Sequence, residues 1–239
     1  CEWQQNGYVQ GAYRPGIIPA LEQKVRDYNA AGARTRFVDK AEVEALTGTP
    51  RLHGGWYHTE GGHVNPLGYA RGLARAVLQE GGIIHTGSKV THVTRENNRW
   101  LVQTAGGAVT ADKVIFTTGA YTVDGWPKLD RTFKIMKVFV AATQPLSEET
   151  RKTVLPHNTT MHDGRGDIYV YKYNAEGRIV ASMFPMGRRG RDMDYTRQVM
   201  TDRLKWMHPQ IHEDIRWEYF WFGELDMQRR TIPRLYGLA

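Results

Sequence analysis

Residues 61–93 read GGHVNPLGYARGLARAVLQEGGIIHTGSKVTHV, and the architecture follows from where this stretch changes its period. Asn65 and Pro66 open a helix, because a proline in the first turn lacks only an N–H that would go unused there. Leu67, Ala70, Leu73, Ala74, Val77 and Leu78 then recur at the spacing of one helical face. Gly81 and Gly82 end it. The period drops to two, so residues 83–85 read as a short strand, with further strands at 89–95, 99–104 and 109–117. The turns at 96–98 and 105–107 are short enough for hairpins. The block is therefore a helix, a strand and a three-stranded meander.

Working outward, helices are expected at 22–31 and 39–46, the second with Asp39 as N-cap and Glu42 three residues on. Glycines at 54, 55, 61 and 62 mark turns around a short strand at 56–58. Beyond a boundary expected within 121–130, a strand at 133–143 is closed by Pro145 and a helix at 148–155 starts from Ser147. A hairpin pairs 168–173 with 178–184, an amphipathic helix at 192–207 stops at Pro209, and an aromatic strand follows at 215–222. The fold class is mixed α/β.

Composition bounds the function. With 239 residues, 41% of them hydrophobic, the chain can bury a sizeable core, and no apolar run reaches the length of a membrane span. The net charge of +7 could attract anions, so a non-catalytic basic module binding an anionic partner is the alternative reading. The basic residues are dispersed, however. The densest group, Arg188, Arg189 and Arg191, shares a Gly-rich turn with Asp192 and Asp194 and reads as a solvated loop, so no nucleic-acid partner is expected. A single cysteine, Cys1, cannot form an internal disulfide, and a cytoplasmic location is the default. No metal site is expected: Pro209 separates His208 from His212, which read as surface residues, and His53, His58 and His63 lack the spacing of a known metal centre.

Three stretches carry a resemblance when taken in order: residues 61–93, NRWLVQTAGGAVTADKVIFTTGAY at 98–121 and WFGELDMQRRTIPRLYGLA at 221–239. Together they resemble the D-amino-acid oxidase family of flavoproteins, with the gamma-glutamylputrescine oxidoreductases nearest and glycine and sarcosine oxidases further off. The resemblance runs from about residue 7 to the end. It implies a partial FAD-binding domain with a β-meander, and an antiparallel-sheet substrate domain covering the flavin ring. The corresponding division is 1–55 as an entry segment, 56–125 as partial FAD domain, 126–225 as substrate domain, and 226–239 returning to the FAD domain.

The resemblance also implies FAD as cofactor, a small amine or amino acid as substrate, and oxidation of a C–N bond to an imine, without assigning a catalytic residue. It places Val90 at the adenine end of FAD, and Thr118, Gly119, Ala120 and Tyr121 at a cofactor-side turn. Tyr169, Tyr171 and Tyr173 lie on one face of their strand and are candidates for the substrate pocket, although core packing is the commoner use of such a face. Trp217, Tyr219 and Trp221 share a face in the same way and read as core. The family's G-x-G-x-x-G turn and the loop that follows Gly237 are missing from the sequence. The chain thus reads as an internal part of a longer one and is expected to bind FAD weakly, if at all, alone. Two departures concern chemistry: Arg230 stands where relatives carry an acidic residue three before the proline matched by Pro233. The strand at 178–184 lacks the oxygen-activating lysine of sarcosine oxidases, which leaves an acceptor other than oxygen open.

Overall fold

The computed structural model describes residues 2–122, 129–184 and 192–228. They fall into two units, Cys1–Gly72 with Val138–Phe222, and Leu73–Lys137 with Gly223–Ala239. The first is organised by a sheet built from β1 (Tyr8–Gly11), β2 (Thr35–Val38), β3 (Gly55–His58), β7 (Lys134–Pro145), β8 (Thr160–His162), β9 (Val170–Tyr173), β10 (Arg178–Met183) and β11 (Trp217–Met227). Their spatial order is β11-β7-β10-β9-β8-β1-β3-β2. β1 and β8 run parallel, and the β1–β3, β2–β3, β7–β10, β8–β9 and β9–β10 pairs are antiparallel.

One sheet face carries the main core. Val9, Met161, Tyr171, Ile179 and Ala181 point into it and meet Met200, Leu204 and Met207 of α5 (Met193–Met207). These three follow the spacing of one helical stripe, so burying them fixes the helix on the sheet. α2 (Lys40–Thr47) and α4 (Glu148–Thr153) contribute Val43 and Thr150 to the buried set. Two caps are those the sequence predicts, Asp39 accepting from the N–H of Glu42 at 2.9 Å and Ser147 from that of Thr150 at 3.2 Å; Asp192 caps α5 by accepting from the N–H of Tyr195 at 3.0 Å. On the other face, α1 (Ile18–Ala30) packs Leu21 against Ala12 and Trp56.

The second unit contains the meander β4 (Val90–Glu96), β5 (Arg99–Thr104) and β6 (Gly107–Ala111), in that spatial order. No residue of these strands, nor of α3 (Pro66–Gln79), is buried. The apolar stripe of α3 is real but uncovered: Leu73, Val77 and Leu78 are 51%, 44% and 56% exposed. Leu73→Glu is accordingly expected to change the unfolding free energy from urea titration by less than about 0.5 kcal/mol, because a largely exposed position loses little packing.

Two expectations fail here. Residues 83–85 form no strand, and the strand expected at 109–117 ends at Ala111. A strand exists through its ladder, and no strand pairs with 83–85 or 112–118 among the described residues. β1, β2 and β8 were not expected at all; with three or four residues each, they carry too few alternations to register as a period.

Candidate functional site

Alternation along β9 and β10 gives the sheet two unlike faces. Tyr171, Tyr173, Ile179, Ala181 and Met183 are buried in the core, while Val170, Lys172, Val180 and Ser182 between them are half-buried on the opposite side. Register extends this second face sideways, since Ser182 pairs with Val140 and with Val170. At its far end α1 closes it, with Lys24 Nζ 3.9 Å above the Trp56 ring and 2.7 Å from Gln10 Oε1. Over β8 to β10 the face is mixed, with Val170 and Val180 set among Thr160, His162, Lys172 and Ser182, so apolar surface stands beside polar groups that could orient a ligand.

The polar groups gather where the Gly61–Asn65 turn meets β8 and β9. His63 forms a two-way bridge with Gln4, each N–H donating to the other's carbonyl at 2.9 and 3.0 Å. A Cβ on Gly62 would collide with the Gln4 carbonyl oxygen, so glycine here permits the close approach of two backbones. Gly62→Ala is expected to cost about 1–3 kcal/mol in urea unfolding, as forced overpacking does, and to move His63. The His63 ring, 8% exposed, meets Thr160 Oγ1 through Nδ1 at 3.0 Å. Lys172 Nζ donates to the Val64 carbonyl at 3.2 Å. Burial, with the Lys172 charge beside it, pushes the His63 pKa down to about 4, so its ring is neutral at pH 7. Burial likewise lowers the pKa of Lys172, and the Glu2 carboxylate partly opposes this.

The tyrosines proposed for a pocket are on the core side. Tyr169 and Tyr171 are 0% and 1% exposed and Tyr173 is 5% exposed. Tyr169 donates its hydroxyl to the Met200 carbonyl at 3.1 Å, and the Tyr171 hydroxyl lies 2.7 Å from His208 Nε2. Their shared face is correctly read, but it is the sealed one. His208 corrects a second expectation: it is fully buried rather than on the surface, because the chain turns inward at the end of α5, while His212 is exposed. The aromatic strand corrects a third. Trp217 packs on the core and donates to Thr201 Oγ1 at 2.8 Å, yet Tyr219 and Trp221 are 55% and 46% exposed. Phe220 takes the inward place, stacked on Phe139 at 5.4 Å.

In the second unit, Val90 begins β4 opposite Thr104. Thr118 precedes a single 3-10 turn, Gly119–Tyr121, in which Gly119 has φ 54° and Ala120 is buried. The nearest atom to a Cβ on Gly119 would be Asp226 Oδ1 at 3.6 Å, so its backbone stands clear of neighbours. Tyr121 is 62% exposed and its hydroxyl accepts from the Glu224 N–H at 3.1 Å. An uncrowded glycine turn beside an exposed tyrosine fits the edge of a bound cofactor such as FAD. The pyrophosphate needs a Gly-rich strand-to-helix turn, which the described residues do not provide.

Elsewhere, a shallow groove of about 480 Å³ is lined by Arg165, Val199, Asp202, Arg203 and Trp206. Its arginines are engaged: Arg203 holds Asp163 and Asp167, and Arg165 lies 4.7 Å over the Trp206 ring. Among the described residues no group of three or more His, Cys, Asp or Glu is placed to hold a metal ion, and no helix is long and apolar enough to cross a membrane. Cys1, Arg188, Arg189, Arg191, Arg230, Pro233 and Gly237 lie outside the described residues.

Comparison with known proteins agrees with this architecture. The chain is 27% identical to a probable oxidoreductase OrdL of Haemophilus influenzae and 24% identical to the gamma-glutamylputrescine oxidoreductase of Escherichia coli, in each case over 98% of this chain and 54% of the relative. It thus spans about half the length of these curated relatives. In fold it is similar to L-proline dehydrogenase from P. horikoshii, with a TM-score of 0.80 at 16% identity over 100% of this chain and 65% of that one. Glycine oxidase from Bacillus cereus gives 0.75 at 18% identity over 97% and 62%. The model of the DAO family of FAD-dependent oxidoreductases matches residues 1–236, and the chain belongs to that family.

Proposed function

We propose that the polypeptide carrying this chain oxidises the C–N bond of a small amine or amino acid to an imine, and that this chain supplies the substrate-side wall and one edge of the FAD site. Membership of an FAD-dependent family supports the cofactor. Relatives named for gamma-glutamylputrescine, glycine and L-proline support a substrate with an oxidisable amine. The observation that carries the reading is the unlike pair of faces on β8 to β10, one sealed by the core and the other a mixed face on which Val170 and Val180 alternate with Thr160, His162, Lys172 and Ser182.

When bound, FAD supplies the electron acceptor for the hydride leaving the carbon next to nitrogen. This chain's work is positioning and exclusion of water. Val140, Val170 and Val180 give the apolar wall, Ser182 and Lys172 its polar points, and the neutral His63 adds no charge beside a substrate amine. Val90 and the Thr118–Gly119–Ala120–Tyr121 turn would meet the cofactor, the glycine letting the backbone come close.

The test is an anaerobic visible spectrum of the polypeptide as encoded, before and after a panel of amines and amino acids. The expected result is a flavin spectrum bleached by one class of these compounds. A colourless protein that FAD does not reconstitute sinks the reading, and salt-sensitive binding to a polyanion would then favour a basic binding module.

A further inference from the structure

We propose that the surface of the first unit where α5 meets the β8–β9 loop docks an acidic segment of a partner protein, with spaced carboxylates on three arginines and an apolar side chain in the groove beside them. Four separate stretches of chain meet here. The Arg14 guanidinium lies 5.4 Å from the Tyr13 ring centre, and that of Arg165 lies 5.5 Å from the same ring. Arg165 also stands 4.7 Å over Trp206, and Arg51 stands 5.4 Å over it. Arg14, Tyr13, Arg165, Trp206 and Arg51 therefore form a continuous ladder of cation–π contacts, which holds three guanidiniums near one another despite their like charge. Two bonds fix its far end: Arg51 Nε donates to the Trp206 carbonyl at 3.1 Å, and the Thr49 hydroxyl donates to that of Met207.

Stacking engages the face of a guanidinium and leaves its N–H edge for anions. Among the described residues no carboxylate pairs with Arg14 or Arg51, and Arg165 Nε, buried and without a hydrogen-bond partner, comes only within 4.0 Å of Asp163. A second copy is disfavoured as the occupant, since each copy carries a net charge of +7. What borders the ladder also disfavours a phosphate chain or nucleic acid. Asp202 and Arg203 line the groove, and Asp163 and Asp167 together outnumber the Arg203 they hold, so dense negative charge is opposed. Carboxylates two residues apart on an extended chain are spaced by about 7 Å and can take successive arginines singly. The groove of about 480 Å³ is walled by Val199 and the 40% exposed Trp206 as well as by charge, room that an apolar side chain fills and a phosphate chain leaves empty. Tryptophan, tyrosine and arginine are the residues that carry most of the energy at protein interfaces. Because α5 covers the core face of the sheet, a partner docked here leaves the second face free for chemistry.

The experiment uses the polypeptide as encoded, loaded with FAD, and two probes of one length, acetyl-Glu-Glu-Leu-Glu-Glu-Leu-Glu-Glu-amide and the same peptide with every glutamate replaced by glutamine. Binding is read by calorimetry at low salt. The acidic peptide is expected to bind and the glutamine peptide to bind at least tenfold more weakly. Arg14→Gln with Arg51→Gln, both exposed and outside the core, should weaken the acidic peptide by about tenfold, as loss of two partly exposed charge pairs does. Arg26→Gln with Lys40→Gln removes the same charge from exposed sites elsewhere on the first unit and should change it less than twofold. Absence of binding, equal affinity for the two peptides, or equal losses in the two double variants overturns the proposal, the last by showing attraction to net charge alone. Tripolyphosphate binding more tightly than the acidic peptide, and weakened by the Arg14 and Arg51 changes, would assign the ladder to a phosphate ligand and overturn the protein partner. None of these outcomes bears on whether amines bleach the flavin, so the oxidoreductase reading stands or falls separately.

Discussion

Arg203→Met is expected to cost about 3–5 kcal/mol of unfolding free energy, the usual result of removing one partner from a buried ion pair. Arg203, with 11% of its side chain exposed, bonds Asp163 Oδ2 through Nε at 2.7 Å and Asp167 through both terminal nitrogens at 2.8 and 3.0 Å. The Asp163 side chain has no exposure at all and that of Asp167 has 17%. Burial alone would lower the Arg203 pKa, but the hydrogen bond to Asp167 and the charge of Asp163 outweigh it and hold the guanidinium charged. Without Arg203, Asp163 keeps the Arg165 N–H at 3.2 Å and a contact at 4.0 Å with the Arg165 guanidinium, but no close counter-charge. The segment between β8 and β9 would lose its ionic tie to α5, keeping the Tyr169 bond to the Met200 carbonyl. Combining Arg203→Met with Asp163→Asn and Asp167→Asn should recover more than half of the loss, because no uncompensated charge then remains. Urea unfolding near pH 7.5 measures both, and a loss below about 1 kcal/mol for the single change would show that the triad is not stabilising.

This triad was invisible in the sequence. Its members are about forty residues apart along the chain, and charges on a helix and in a loop read as solvated unless their partners are known. Local signals did better. The caps at Asp39 and Ser147 were legible because capping is decided within four residues. α3 and the meander were legible because their periods are long enough to count. The strands of β1, β2 and β8 were not, since each is held by neighbours far away in the chain rather than by its own pattern.

The site shows the same division more sharply. Alternation correctly put Tyr171 and Tyr173 on one side of β9, but a period of two cannot say which side is sealed. That was decided by α5, whose Met200, Leu204 and Met207 cover the tyrosine face. The same period had already placed Lys172 on the opposite face. A lysine between two buried tyrosines was therefore the available signal, and three aromatic residues drew attention away from it. His63 was noticed only as one of three evenly spaced histidines, whereas its place depends on the Gln4 bridge and on Gly62.

Acid should unfold this protein steeply, and His208 is the main reason. The ring is fully buried, with Nε2 on the Tyr171 hydroxyl and no hydrogen-bond partner on Nδ1. Burial pushes its pKa down to about 3; the nearby Gly48 carbonyl offsets a little, although its approach falls short of a hydrogen bond. The unfolded chain takes up a proton near the ordinary histidine value of 6.5, and the folded chain does not until about 3. Stability is therefore full above about pH 6.5 and falls by about 1.4 kcal/mol for each pH unit below it, down to the folded pKa. His63, depressed to about 4, adds in the same direction, and so does Glu213, whose bonds to Ser147 and Thr150 hold it below the usual carboxylate range despite burial. At the alkaline end burial raises Tyr8 to about 12 and lifts Tyr169, Tyr171 and Tyr173 as well. Their stabilising effect is present below the ordinary tyrosine value of 10 and is lost as pH rises through the folded values. A stability plateau between about pH 7 and 10 is the expected outcome of urea titrations across that range. His208→Gln should lower the plateau, because the Tyr171 contact is disturbed, yet flatten the acid limb by about one proton between pH 6 and 4. An acid slope unchanged in that variant would mean that His208 is not buried as a neutral ring, and that the end of α5 opens to solvent before the core does.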